Sequence, residues 1–260
     1  MSDLTHLLQP SPLLDFGAPA IRDVIARRGW MDLPMDQRIG AAYDFTRDEI
    51  LFGYNRADGI AASDVLADGY GQCNTKGVLL MALLRALGVP CRMHGFTIHK
   101  GLQRGVMPEL AYALSPPEIL HSWVELYHGG RWITLEGFIL DMPYLQAVQR
   151  AFGRGPLCAY GVGTEALEAP QVDWCGTDTY IQKTGIARDL GLFDTPDAMF
   201  SQHDQALGPL RRLLYTYGMR HWMNARARAI RGGRVPGIAG MARPAGSNRA
   251  TAGKGANHGA

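Results

Sequence analysis

Three residue types that together make a thiol enzyme occur in this chain in settings that favour their chemistry. Cys73 follows Gly69 and Gly71 and opens a long apolar run, GYGQCNTKGVLLMALLRALGVPCR, residues 69–92. A thiol at a helix start meets the positive end of the helix dipole and unpaired backbone N–H groups. Both favour the thiolate, which is the nucleophilic form. The same N–H groups suit an oxyanion, because they point to where negative charge develops as a carbonyl is attacked. A histidine that can take and return a proton stands at His121, in LHSWVELY, and a carboxylate that can orient it at Glu136, in RWITLEGF. Thiol, imidazole and carboxylate in this combination carry out acyl transfer through a thioester. The backbone N–H of Cys73 supplies one oxyanion donor. Gln72, Tyr54 and Asn55 remain open as the second, and Trp123 is read as covering the cleft or packing beneath it.

The elements that must position these groups can be read locally. After Cys73 the pattern predicts a helix over 74–87, stopped by Gly88 and Pro90. Val78, Leu79, Leu80, Met81, Leu83, Leu84 and Leu87 cover nearly its whole circumference, so it belongs inside a core, and Lys76 and Arg85 need solvent or a partner. A strand is expected over 90–98. Two β-rich runs flank Gly129-Gly130, a hairpin signal that pairs His128 with Arg131 and Glu125 with Thr134. Side-chain alternation then gives Val124, Leu126, Ile133 and Leu135 to an apolar face, and His121, Trp123, Glu125, Thr134 and Glu136 to the other. Glu136 becomes the diagonal neighbour of His121. A slip of one residue would undo this. Asp141 is the rival carboxylate, on the opposite face by parity.

The remainder is less patterned. Helices are expected near 18–28, 35–49 and 62–66 (with Ser63 as N-cap), an irregular stretch over 99–118, short helices and loops over 137–205, and a helix over 209–230. From Gly232 the chain is rich in Gly, Ala, Pro and Ser without apolar periodicity, and disorder is expected. The domain reading is a helical lead-in (1–50), a catalytic core (51–145), a helical extension packed on that core (146–231) and a basic tail (232–260).

The chain has 260 residues, 47% hydrophobic and 19% charged, enough to bury a full core. No apolar run approaches the roughly 18 residues of a membrane span. The first residues lack the layout of a secretory signal, and four scattered cysteines read as reduced thiols in a cytoplasm, with Cys158 and Cys175 buried. Cys91, His94 and His99 lack a second half for a metal site, and the reading calls for no metal and no cofactor. Ten of the 26 basic residues follow Asp204, the last acidic one. A basic end of this kind could tether the chain to nucleic acid or an anionic surface. It is read instead as a solvated helix end and terminus, and the Leu210, Leu213, Leu214, Tyr217 stripe as a docking face.

The three blocks around Cys73, His121 and Glu136, in this order, resemble the transglutaminase-like (papain-like) superfamily in its microbial cysteine-hydrolase branch. The superfamily pattern is G-x-C opening a helix with L-R-A-x-G-[IV]-P-x-R, then H-[AS]-W-V-E-[VL], then W-x-x-[LF]-D. The resemblance spans about residues 60–140 and implies a papain-like α+β fold, with a central buried helix packed on an antiparallel sheet and extra helices at both ends. It also implies a Cys–His–Asp triad. Two departures stand out: Glu136 where Asp is usual, and Gly137 where Pro is common.

The resulting expectation is a cysteine-dependent peptidase or amidase that acts on a peptide or small amide through a Cys73 thioester. The alternatives are a transglutaminase-type acyltransferase with an amine acceptor, or a binding module that kept the fold without turnover.

Overall fold

The computed structural model describes residues 4–203, 208 and 213–238. Two helices lead in, α1 (Pro19–Arg27) and α2 (Met35–Asp44), and α2 runs into a π-helical turn at Phe45–Glu49. A short parallel pair, β1 (Leu51–Phe52) and β2 (Tyr70–Gly71), brackets α3 (Ala62–Asp68) and delivers the chain to α4 (Cys73–Ala86). Next come β3 (Cys91–His99), α5 (Glu109–Leu114), β4 (Glu118–His128) and β5 (Arg131–Leu135). The second half holds α6 (Met142–Phe152), the small antiparallel pair β6 (Leu157–Ala159) and β7 (Val162–Thr164), then β8 (Ile186–Phe193) and α7 (Pro196–Gln202). The last described helix, α8 (Arg220–Arg231), is entered through a π-helical turn at Tyr215–Met219.

The fold is α+β, built on an antiparallel sheet of order β5-β4-β3-β8. The hairpin has the expected pairing, His128 with Arg131 and Glu125 with Thr134. Gly129 and Gly130 both take positive φ, 60° and 82°, as a two-residue turn matched to strand twist requires. Val124, Leu126, Ile133 and Leu135 are buried on one face of that hairpin. Every residue from Cys73 to Arg85 in α4 is buried. At roughly 1.5–3 kcal/mol for each large apolar side chain, this helix is the centre of the hydrophobic stabilisation. Gly88, at φ 80°, ends it.

Lys76 and Arg85 find partners inside. The Lys76 ammonium donates to the Arg47 and Ile139 carbonyls at 3.0 Å each, and burial pulls its pKa down to about 7 despite Asp141 and Asp48 nearby. Arg85 donates to the carbonyls of Gln9, Cys91 and Asp194.

Several local expectations are corrected. Ser63 does not cap α3; its N–H and hydroxyl are held by the Asp15 carboxylate. The stretch 186–193 forms strand β8, because pairing with β3 overrides its weak, glycine-interrupted pattern. Cys158 and Cys175 are exposed. Disorder does not begin at Gly232, since Val235 and Ile238 are buried and the Tyr160 hydroxyl reaches the Pro236 carbonyl. The rest of the expected tail, 239–260, lies outside the described residues, as does Leu210 of the apolar stripe. Leu213, Leu214 and Tyr217 of that stripe are exposed. Among the described residues, no helix is long and apolar enough to cross a membrane.

Candidate active site

Cys73 is the first residue of α4, and the preceding turn is built around it. Gly69, at φ 68°, ends α3 in the left-handed conformation. A Cβ on Gly71 would sit 2.7 Å from Thr75 Oγ1, so only glycine lets the chain turn this tightly into the helix. Gln72 caps the helix: its Oε1 accepts the Asn74 N–H at 2.7 Å, and Thr75 Oγ1 accepts the Gln72 N–H at 3.1 Å. The Cys73 N–H is among the orphan donors that any helix start leaves. Cys73 is 8% exposed, and its Sγ lies 3.2 Å from Gln72 Oε1.

His121 sits in β4, and its neighbours tie that strand to the helix start. Asn74 Nδ2 donates to the Leu120 carbonyl at 3.3 Å, and Ser122 Oγ donates to Asn74 Oδ1 at 2.9 Å. The residues on both sides of His121 are thus pinned to the residue after Cys73. His121 is fully buried. Its Nε2 is 2.8 Å from Glu136 Oε1, and its Nδ1 has no hydrogen-bond partner. Burial alone would lower the imidazole's pKa. The neighbouring Cys73 sulfur and the Glu136 carboxylate outweigh it and hold the pKa up at about 10. Cys73 is therefore close enough to act on the ring.

Glu136, also fully buried, is held from behind. Its Oε2 accepts the Ile181 and Gln182 N–H groups at 2.9 and 3.0 Å, and its own N–H donates to the Thr179 carbonyl at 3.0 Å. The longer carboxylate side chain reaches His121 from just beyond β5. Gly137 has a steric reason: a Cβ there would meet Tyr43 Oη at 2.5 Å and the Val172 backbone at 2.7 Å. Asp141 is elsewhere. It caps α6, accepts the Phe52 N–H and pairs with Arg231, so it does not contact His121.

The other expected groups are engaged. Asn55 donates to Asp68 and the Tyr70 carbonyl and accepts from Thr75. The Tyr54 hydroxyl donates to Gln103 Oε1, and Gln72 Nε2 donates to Asp58. Trp123 packs behind the site, its ring 4.0 Å from that of Phe96, which in turn neighbours His121. His94 lies between Glu125 and Asp189, and Cys91 is buried beside the Met81 carbonyl. Among the described residues, no group of three or more His, Cys, Asp or Glu is placed to hold a metal ion.

A cavity of about 510 Å³ has Cys73 in its wall, with Tyr54, Gln72 and Gln103 beside it. His121 and Glu136 lie behind that wall. Three parts of the arrangement carry no motif in the sequence: the 179–182 segment behind Glu136, Gln103, and the wall supplied by Phe200 and the last helix. Only the apolar stripe near Leu213 hinted at the last of these.

Residues 27–137 match the family model of the transglutaminase-like superfamily. No curated protein matches. Among solved structures, a Cytophaga hutchinsonii protein described as a candidate cysteine protease is similar at 20% identity and a TM-score of 0.40, over 54% of this chain and 44% of that one. This chain thus spans less than half the length of that relative. Residues 27–137, the stretch that is similar to that superfamily, hold Cys73, His121 and Glu136 around a buried helix and an antiparallel sheet.

Proposed function

We propose that this protein is a cysteine-dependent hydrolase of amide bonds that works through a thioester on Cys73, with His121 as the proton carrier and Glu136 as its orienting carboxylate. One observation carries the reading: Glu136 engages His121 Nε2 at 2.8 Å, and Nδ1 remains without a partner on a ring raised in basicity by the Cys73 sulfur.

The chemistry follows from that division of the ring. Glu136 fixes the tautomer with the proton on Nε2, so Nδ1 is the basic nitrogen. Nδ1 takes the thiol proton first, giving a thiolate–imidazolium pair, and the sulfur then attacks the carbonyl carbon. The oxyanion forms at the start of α4, within reach of the Cys73 N–H. The imidazolium then returns its proton to the departing amine, leaving a thioester. Water attacks the thioester with Nδ1 again as base, the acid departs, and the proton goes back to sulfur. An amine in place of water would give transfer. Hydrolysis of a small amide or a peptide is favoured because Cys73, 8% exposed in a cavity wall, suits one substrate better than two protein surfaces at once.

The test is the rate of iodoacetamide alkylation at pH 6, read by peptide mapping, with Cys73→Ala as the blank. Cys73, though buried, should react faster than the exposed Cys158 and Cys175, because at pH 6 ordinary thiols are almost entirely protonated. A Cys73 slower than both would remove the reading.

A further inference from the structure

The cavity beside Cys73 is walled by two different parts of the chain. Met107, Ile119 and Leu120 line it from within the segment that matches the superfamily. Leu214, Tyr215, Met219 and Met223 line it from the last helix and its π-helical entry, more than 70 residues beyond the end of that match. This second wall is fastened to the backbone next to the site. Asn224 accepts the Tyr54 N–H at 2.7 Å and donates to the Tyr54 carbonyl at 3.1 Å. The Tyr215 hydroxyl donates to the Asn55 carbonyl at 3.1 Å, and Arg231 pairs with the buried Asp141 at 2.6 Å.

The charges in the lining are already engaged: Arg56 pairs with Asp64, and Asp58 accepts from Gln72. The rest of the lining is mostly apolar, so a charged or strongly polar substrate group entering here would exchange its hydration for few partners. A volume of about 510 Å³ falls in the range of sites that enclose whole small molecules, roughly 300–1,000 Å³.

We propose that the cavity takes a large uncharged apolar group attached to the carbonyl that Cys73 attacks, and that the C-terminal helix sets this preference. The group is an aliphatic acyl chain or an apolar peptide side chain; the chemistry the lining reads is the same. The inference rests on Cys73 being the acylated thiol.

The experiment acylates the full chain with four p-nitrophenyl esters: acetate, octanoate, N-acetylphenylalaninate and N-acetylglutaminate. Each rate is divided by that of the same ester with free cysteine. The acylated residue is identified by mass spectrometry. The octanoyl or the phenylalanyl ester should exceed both acetyl and glutaminyl esters by at least about ten-fold, since even one methylene in an apolar pocket is worth roughly that much. Whichever of the two leads identifies the source. In Met219→Lys, and in Leu214→Lys at a 61% exposed position that tolerates substitution, the preference should fall about ten-fold toward unity. Four esters within three-fold of one another, or a preference unchanged in both variants, overturns the inference while leaving the thiol reading standing. Failure of every ester and of iodoacetamide to modify Cys73 overturns both.

Discussion

Two histidines on neighbouring positions of the same strand pair have opposite arrangements. His94 on β3 pairs in register with Trp123, and His121 on β4 pairs with Phe96. Both touch carboxylates, and both are raised in pKa against the lowering effect of burial. His94, however, has both nitrogens engaged, Nδ1 with Glu125 and Nε2 with Asp189, each at 2.9 Å. It can only be a cationic clamp joining β3, β4 and β8. His121 has one carboxylate, one nitrogen without a partner, and a sulfur nearby. Acidic neighbours alone therefore do not mark a catalytic imidazole. The number of ring nitrogens left over decides which histidine can move a proton.

The comparison breaks most sharply at the carboxylates. In Glu136→Gln the remaining carbonyl oxygen must stay with the Ile181 and Gln182 N–H groups, which turns the new NH2 toward His121 Nε2. The ring then has to carry its proton on Nδ1, the wrong tautomer for a base. Acylation of Cys73 should fall about 10⁴-fold, on the scale of orienting-carboxylate substitutions in other triads. Glu125→Gln, at the clamp, should stay within about three-fold. Steady-state or single-turnover acylation rates decide it, and equal losses in the two variants would erase the distinction.

A smaller effect concerns the ring itself. NMR titration of His121 should give a pKa of about 10, and in Cys73→Ala it should fall, since the sulfur is among the groups that raise it. The His94 titration should be unmoved. A His121 value indifferent to Cys73 would mean that the two do not communicate.

The least change is expected at His94→Gln. Activity should hold within about three-fold, and stability at pH 6 should drop by about 1 kcal/mol, the scale of a partly exposed hydrogen-bonded pair. The sign with pH is fixed by the direction of the shift. A folded-state pKa above the unfolded value stabilises fully below about 6.5, and the gain disappears as pH rises through the folded value. Urea unfolding at pH 6 and pH 9 should therefore show the deficit shrinking at the higher pH.

Much of the site was legible because it rests on short-range rules. Gly129-Gly130 permits a tight turn of one hand, which sets the hairpin pairing and so places His121 and Glu136 on one side. The pattern around Cys73 contains its own start and stop. The departure at Gly137 was visible, but its reason, the approach of Tyr43 and Val172, was not. The Tyr54, Asn55 and Gln72 candidates were found near Cys73 as expected, yet their side-chain donors turned out to be engaged.

By itself the amino-acid sequence determined which residues are the candidates for the chemistry, which helix is buried and how the hairpin pairs. Those properties depend on periodicity, turn residues and helix ends, all settled within a few positions along the chain. Only the tertiary structure decided what holds Glu136 from behind, which histidine keeps a nitrogen in reserve, and what lines the space beside the thiol. The 179–182 segment and the Leu214–Met223 wall arrive from far along the chain and dock through backbone groups and irregular apolar contacts, which leave no repeating signature in the order of the residues.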